Sequence, residues 1–247
     1  MVHRSLDDRP NRRVPPWRTA VGALLVVGLL AAGADVSLAS HRAITRSEAP
    51  AVVAAINLRH SDLPTLKEQA NSITPQDTRL NAQLTACAGG VPAREALADV
   101  QSSDFVGSGP SGTTLGSEAE ILPSAALVAK DLSAIGRPRA LSCLVSVFGG
   151  ALRSTIPKTD TVSTHAARLP SLVSGGDGAF AIRLTVVVHV KSGAATVIVP
   201  VYVDSIGFAY GQAEVSLTVM RAIAAPPASL ERQFAALLLA RAHGAIG

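Results

Sequence analysis

The chain has 247 residues and a mass of 25.3 kDa, and its composition excludes several protein classes. With 48% hydrophobic and 16% charged residues it is too apolar for a disordered chain, and a single long apolar run excludes a membrane protein with several spans. Most of the net charge of +4 comes from five arginines near the N-terminus, so the rest of the chain lacks the concentrated basic face that nucleic-acid binding needs.

The N-terminal arginines precede an uncharged apolar run at residues 19–34, which predicts a membrane segment. Continuing past one aspartate to residue 38 gives the segment 19–38, about 20 residues long, which suits a helix that spans a bilayer. Positively charged flanks stay on the cytoplasmic side. We therefore expect residues 1–18 in the cytoplasm and the bulk of the chain outside, at the cell membrane.

A cleaved signal peptide, followed by secretion, is the alternative interpretation of the same segment. Small residues at 32–34 and at 37–39 match the pattern of a cleavage site. In both interpretations residues 39–50, which are mixed and polar, form a tether. The residues from 51 to 247 then form one extracytoplasmic domain, large enough for its own core.

Cys87 and Cys143 are the only cysteines, and they predict a disulfide. Outside the cytoplasm an even number of cysteines indicates crosslinking, and two cysteines allow a single pairing. The bond would close a loop of about 56 residues, which the chain-entropy model converts into about 4 kcal/mol of stability. Two separate buried thiols are the alternative. No histidine or cysteine lies at metal-ligand spacing from either residue, so we predict no zinc site.

Helix signals recur through the domain. Thr74 and Asp77 flank a proline in the pattern of a capped helix start, and the two glycines at 89–90 end that helix. Further helices are predicted from Ser124 to Gly136, from Pro138 to Leu152 and after Pro227. The apolar run Ala51–Leu58 is interpreted as a short strand.

Alternating apolar and polar residues indicate strands in the remaining segments. These segments are Phe105–Val106, Leu115–Leu122, Thr159–Ala166, Phe180–Lys191, Val197–Val203 and Val215–Ile223. Because Pro200 lacks an amide donor, its strand is predicted at a sheet edge or at a bulge. The fold class is therefore α+β, with a mainly antiparallel sheet (a hairpin plus a C-terminal meander), about four flanking helices and one N-terminal transmembrane helix.

Local motifs for catalysis, cofactors or metals are missing from the sequence. The glycines at 107–112 have the spacing of a dinucleotide-binding loop, but a strand follows them where that loop needs a helix. No two histidines lie close enough to share a helix face, and no nucleophile elbow is present. We assign Asp177 to a turn and His189 to the polar face of its strand. We expect neither a cofactor nor enzymatic activity.

Tyr202, Phe208 and Tyr210 hold much of the small aromatic content. Packing against the last helix is the simplest explanation for them. The functional explanation is a small apolar pocket between the sheet and the helices, where a small apolar ligand of the envelope could bind.

Four features of the domain match a known type of protein. They are Ser61-Asp62-Leu63-Pro64 after a short strand, a helix that ends at Cys87, the segment Arg139–Leu144, and a meander with a closing helix. Over residues 50–243 this order resembles the PsbP-like α+β domain of single-pass or secreted actinobacterial envelope proteins. The resemblance implies an extracytoplasmic domain of non-enzymatic or unknown role and brings no catalytic residues. The lipoproteins of this type carry a lipidated cysteine that is missing here.

These observations favour a membrane-tethered extracytoplasmic module of the cell envelope that binds or senses a ligand. The expected partners are the membrane, another envelope protein or a small apolar ligand, and not nucleic acid. One alternative is an envelope enzyme or lipid-handling protein whose site is built from dispersed residues. The other is a structural or interaction subunit of a membrane complex.

Overall fold

The structure, a computed structural model, describes residues 41–109, 112–192 and 195–247. The predicted cytoplasmic segment 1–18, the span 19–38 and both cleavage sites lie outside these ranges. Within them, no helix has both the length and the hydropathy that crossing a bilayer requires.

The described residues contain five α-helices, two short 3-10 helices (His60–Asp62 and Ala93–Glu95) and eight strands, and the structure confirms the α+β class. The helices are α1 (Ala49–Ile56), α2 (Pro75–Ala88), α3 (Ala125–Gly136), α4 (Pro138–Thr155) and α5 (Ala228–Ile246). The strands are β1 (Lys67–Gln69), β2 (Ala98–Gln101), β3 (Asp104–Val106), β4 (Thr113–Ile121), β5 (Thr161–Arg168), β6 (Gly178–Ser192), β7 (Ala195–Tyr210) and β8 (Ala213–Ala222).

All strands join one sheet in the order β1-β3-β4-β8-β7-β6-β5, and every pairing is antiparallel. Strand β2 also pairs with β4, next to β3, so β2 and β3 act as one interrupted strand. The C-terminal meander β6-β7-β8 forms the centre and was predicted. Its pairing with β4 joins the two halves of the chain.

Helices cover both faces of the sheet and enclose two hydrophobic cores. On one face α1 and α5 pack against residues such as Phe208 and Leu217. On the opposite face α2, α3 and α4 pack against Phe180 and Ile182. The alternation along β6 predicted a strand with one buried face. Part of β6 is instead buried on both faces, because successive side chains enter different cores.

The strand predicted at Ala51–Leu58 is wrong, because Ala49–Ile56 forms helix α1. The buried positions Val52, Val53 and Ile56 have the spacing of one helix face, and a proline occupies the first turn, where its missing amide costs nothing. The run is apolar on nearly every position, so its period does not distinguish a short helix from a strand.

The described part of the predicted tether packs on the domain. Ile44 is buried, and its backbone amide donates to Oε1 of Gln212 over 2.7 Å. The Gln212 amide also donates to the carbonyl of Leu122 over 3.0 Å. Residues 41–50 therefore belong to the folded domain. The buried side-chain amide of Gln212 holds them against the turn between β7 and β8.

Pro200 corrects a second expectation, because β7 lies in the sheet between β6 and β8. The last β8 partner of β7 is Ala222, opposite Val201. The Pro200 carbonyl accepts from the Ile223 amide over 2.8 Å, so the nitrogen of Pro200 faces the end of β8 and not β6. The proline is tolerated because no ladder donor is needed there. Ile223 itself leaves the sheet with a φ of 75°.

Cys87 and Cys143 form the predicted disulfide, which connects the end of α2 to α4. Their Cα atoms are 5.8 Å apart, and Cys143 is buried in the core between these helices and the sheet. The capping box that predicted α2 is also present: Thr74 and Asp77 exchange hydrogen bonds between side chain and backbone. The disulfide therefore crosslinks two helices that lie in the same layer.

Candidate functional site: an acidic groove across β2, β4 and β8

Carboxyl groups concentrate on the sheet face that carries α2, α3 and α4, where β2, β4 and β8 lie side by side. Strand pairing places Asp99 of β2, Glu120 of β4 and Glu214 of β8 directly opposite one another. Glu118 stands two residues along β4 on the same face, and Asp131 reaches in from α3. We call the surface formed by Asp99, Glu118, Glu120, Asp131 and Glu214 the acidic groove.

The depth of the groove differs between its members. Glu214 and Asp131 are each only 6% exposed, and the β8 residues Ser216 and Thr218, which continue the floor, are 8% exposed. Glu118 and Glu120 are half-buried, while Asp99 is exposed at the outer edge. The groove therefore opens at β2 and is closed at β8 and α3.

Burial raises the pKa values of these carboxyl groups, and repulsion from neighbouring carboxylates adds to the effect for the three glutamates. Burial raises the pKa of Glu120 to about 8, with further contributions from the charges of Asp99 and Asp131. The same two causes raise the pKa values of Glu118 and Glu214 well above the usual range. Burial raises the pKa of Asp131 to about 6, against the hydrogen bond that its carboxylate accepts from the Val91 amide.

Glu214 carries the most informative atom of the groove. Its Oε1 is buried and has no hydrogen-bond partner in the protein. A buried acceptor without a donor is destabilising, by about 1–3 kcal/mol in typical cases. The part of the protein that the structure describes supplies no donor to this atom.

A small recess continues the groove toward β3. Its lining residues are Asn71, Gln101, Asp104, Gly116, Ser117, Glu118 and Thr218. A side chain at Gly116 would come within 3.0 Å of Asp104 Oδ1, so the glycine keeps this space open. Asn71 donates to Gln101 over 2.8 Å, which orients the Gln101 amide toward Glu118. Apart from these amides the lining contains the carboxyl groups of Asp104 and Glu118.

The part of the chain that the structure describes does not support a metal site formed by a cluster of ligand side chains. There, no group of three histidine, cysteine or acidic residues is arranged to hold a metal ion. The carboxyl groups of the acidic groove are distributed along strands and do not converge on one point. They can accept hydrogen bonds from a ligand that is longer than a single ion.

Tyr202, Phe208 and Tyr210, the predicted pocket residues, lie on one face of β7 but in three environments. Phe208 is buried in the core beneath α1 and α5. The Tyr202 ring lies 5.7 Å from the Arg183 guanidinium. Tyr210 contacts the rings of His41 and His243, each with its centroid 4.2 Å away.

The predicted turn residue Asp177 connects two segments near Tyr210. Its Oδ2 accepts from the Gly211 amide over 2.6 Å and lies 2.9 Å from Nε2 of His41. His189 is half-buried on β6, opposite Thr161 of the edge strand β5. The glycine-rich segment joins β3 to β4 as a hairpin, with residues 110 and 111 outside the described ranges.

A second buried polar cluster joins α5 to the sheet. Arg183 of β6 donates two hydrogen bonds to Asp204 of β7, of 2.6 and 2.5 Å, and Asp204 is fully buried. Burial and a hydrogen bond with Asp204 raise the pKa of Glu231, at the start of α5, to about 8. The arrangement orients the first turn of α5, and Oε1 of Glu231 is buried there without a hydrogen-bond partner among the described residues.

Replacing Asp204 with alanine is expected to destabilise the protein by about 2 kcal/mol, because Arg183 and Glu231 lose their shared partner. Arg183 keeps some access to water, which limits the cost. Urea unfolding followed by circular dichroism measures the change. The Gln233→Ala variant, at an exposed position two residues after Glu231 on α5, is the control and should unfold like the wild type. Equal stability of both variants would contradict the structural role.

The comparisons with known proteins leave the chain without a family. No protein-family model matches it, and no curated protein matches it. The PsbP-like resemblance therefore remains an expectation from sequence. Among solved structures, the extracellular domain of PknH from Mycobacterium tuberculosis has 10% sequence identity and a TM-score of 0.39. That match covers 83% of this chain and 100% of that domain, and at this TM-score it carries no conclusion about function.

Proposed function

We propose that the chain is a non-catalytic extracytoplasmic module that binds or senses a cationic ligand in the acidic groove. The observation that carries the proposal is the buried Oε1 of Glu214, which lacks a donor and faces three other carboxyl groups. A cation with hydrogen-bond donors would satisfy this atom and reduce the repulsion between its neighbours.

The disulfide supports the extracytoplasmic placement. Stable disulfides form and persist in oxidising compartments and are rare in the cytosol. The bond between Cys87 and Cys143 connects helices within the core. Together with the predicted membrane segment 19–38, this supports a single N-terminal span with the domain outside the cell membrane, as in the envelope proteins that the sequence resembles. Secretion after cleavage is the alternative.

Placement and binding are tested separately with the full chain. A reporter that works only outside the cytosol, fused to the C-terminus, should be active. A fused reporter that resides in the cytosol would overturn the placement.

For binding, the detergent-solubilised protein is titrated calorimetrically with Ca²⁺, Mg²⁺ and small organic amines. We expect saturable binding of at least one cation, and its loss in Glu214→Gln. Absence of binding to every cation would overturn the proposed function.

A further inference from the structure

We propose that the acidic groove binds the ammonium groups of a small organic amine, of the diamine or polyamine class. This inference rests on the proposed function and names the ligand class for the same site. Three independent features of the groove favour an amine over a metal ion: the spacing of its carboxyl groups, the hydrogen-bonding character of its lining, and its shape.

The spacing comes from the sheet. Asp99, Glu120 and Glu214 form one row across three strands, and Glu118 begins the next row, two residues along β4. Neighbouring positions within a row are about 5 Å apart, and rows on the same face are about 7 Å apart. A metal ion needs its ligands around one point. The short methylene chains of diamines and polyamines separate their charges by distances similar to those between the rows.

The five named side chains of the acidic groove are all carboxyl groups, which accept hydrogen bonds. An ammonium group has three donors and no acceptor, so it matches carboxylates and hydroxyl groups. Glu214 Oε1 is the unfilled acceptor at the closed end, and Glu118 lies on the way to the open edge. One ammonium group is therefore placed at Glu214 and a second at Glu118.

The recess at Gly116 lies beyond Glu118, one row further from Glu214, and gives the carbon chain of a longer amine a place to lie past Glu118. Because Gly116 has no side chain, the sheet surface between Glu118 and Thr218 is lowered at that position. Asp104, half-buried on the far side of the recess, provides a further carboxyl group for a longer amine.

Binding is expected to strengthen as the pH rises. The groups that face the site are Asp99, Asp104, Glu118, Glu120, Asp131 and Glu214, with Lys130 beside Asp131 as the adjacent cation. Burial raises the pKa of Glu120 to about 8 and that of Asp104 to about 6, so protons compete with the amine for the same oxygens near neutral pH. Amine binding should therefore release protons.

The experiment titrates the full detergent-solubilised chain with spermidine, putrescine, tetramethylammonium, Ca²⁺ and Mg²⁺. We expect saturable binding of spermidine or putrescine that is tighter at pH 8 than at pH 6. Tetramethylammonium, which has charge but no donors, should bind at least tenfold more weakly. Glu214→Gln and Glu118→Gln should each weaken amine binding at least tenfold. Glu95→Gln, at an exposed acidic residue outside the groove, should leave it unchanged.

The outcomes separate this inference from the proposed function. Binding of Ca²⁺ or Mg²⁺ in preference to amines, lost in Glu214→Gln, would overturn the ligand class and leave the cationic site intact. Amine binding that all three variants retain would assign it to general surface charge and overturn the inference. If Glu214→Gln fails to fold, by circular dichroism, Glu118→Gln provides the same comparison from a half-buried position.

Discussion

Raising the pH from 5 to 9 is expected to destabilise the ligand-free protein, with Glu120 responsible for about 3 kcal/mol of the loss. The pKa of Glu120 is about 8 in the folded protein and 4.5 in its ordinary state, so the folded chain binds a proton that the unfolded chain releases. This contribution to stability is fully present below pH 4.5 and is lost as the pH rises toward 8. Glu118 and Glu214 act in the same direction.

The Glu120→Gln variant isolates this effect, because glutamine resembles the protonated acid at every pH. At pH 5 its free energy of unfolding should be close to that of the wild type, and at pH 9 it should exceed the wild type by about 3 kcal/mol. Urea unfolding at the two pH values measures both. Glu95→Gln is the control and should follow the wild type at each pH. A wild-type stability that rises with pH would contradict the arrangement of buried carboxyl groups.

Removing the disulfide is expected to cost about 4 kcal/mol, since the bond closes a loop of 56 residues in the unfolded chain. For a domain of this size the loss corresponds to a Tm lower by about 10 °C. The double variant Cys87→Ala with Cys143→Ala should show this decrease in thermal unfolding without reductant. Small core cavities at the two alanines add a minor part.

Reductant provides the matched control for the crosslink. Dithiothreitol should lower the Tm of the wild type toward that of the double variant and leave the double variant unchanged. Single variants should resemble the double variant, because one cysteine alone cannot form the bond. A wild type that is insensitive to reductant and equal in Tm to the double variant would show that the two sulfurs are not bonded in solution.

The elements that were predicted correctly are those whose signals are local. Thr74 and Asp77 cap α2 through hydrogen bonds between neighbours three residues apart, and the alternation in Phe180–Lys191 predicted strand β6, which spans Gly178–Ser192. The apolar run that became α1 has no such signal. The prediction from Pro200 was wrong for a related reason. Whether this proline removes a hydrogen bond of the sheet depends on where β8 ends, and the residues around Pro200 do not show that.

The acidic groove was missed because each member has an ordinary local explanation. Glu118 and Glu120 alternate with buried residues, which is also the pattern of a strand face in water. Glu214 and Ser216 likewise alternate with the apolar positions of β8. Nothing near Glu120 indicates that Glu214, more than ninety residues later, is its cross-strand partner. One signal for the groove was available in the sequence: polar residues line one face of β8, which is a central strand with neighbours on both sides.

The amino-acid sequence alone therefore determined the order of most helices and strands, the antiparallel meander and the pairing of its two cysteines, because propensity, capping and residue count act over short distances or allow one solution. Only the tertiary structure decided that Glu120, Glu214 and Asp131 meet in one groove, and that residues 41–50 lie on the domain. Those contacts follow from the register between β4 and β8 and from the packing of α3, which are set by the cooperative burial of residues far apart in the chain.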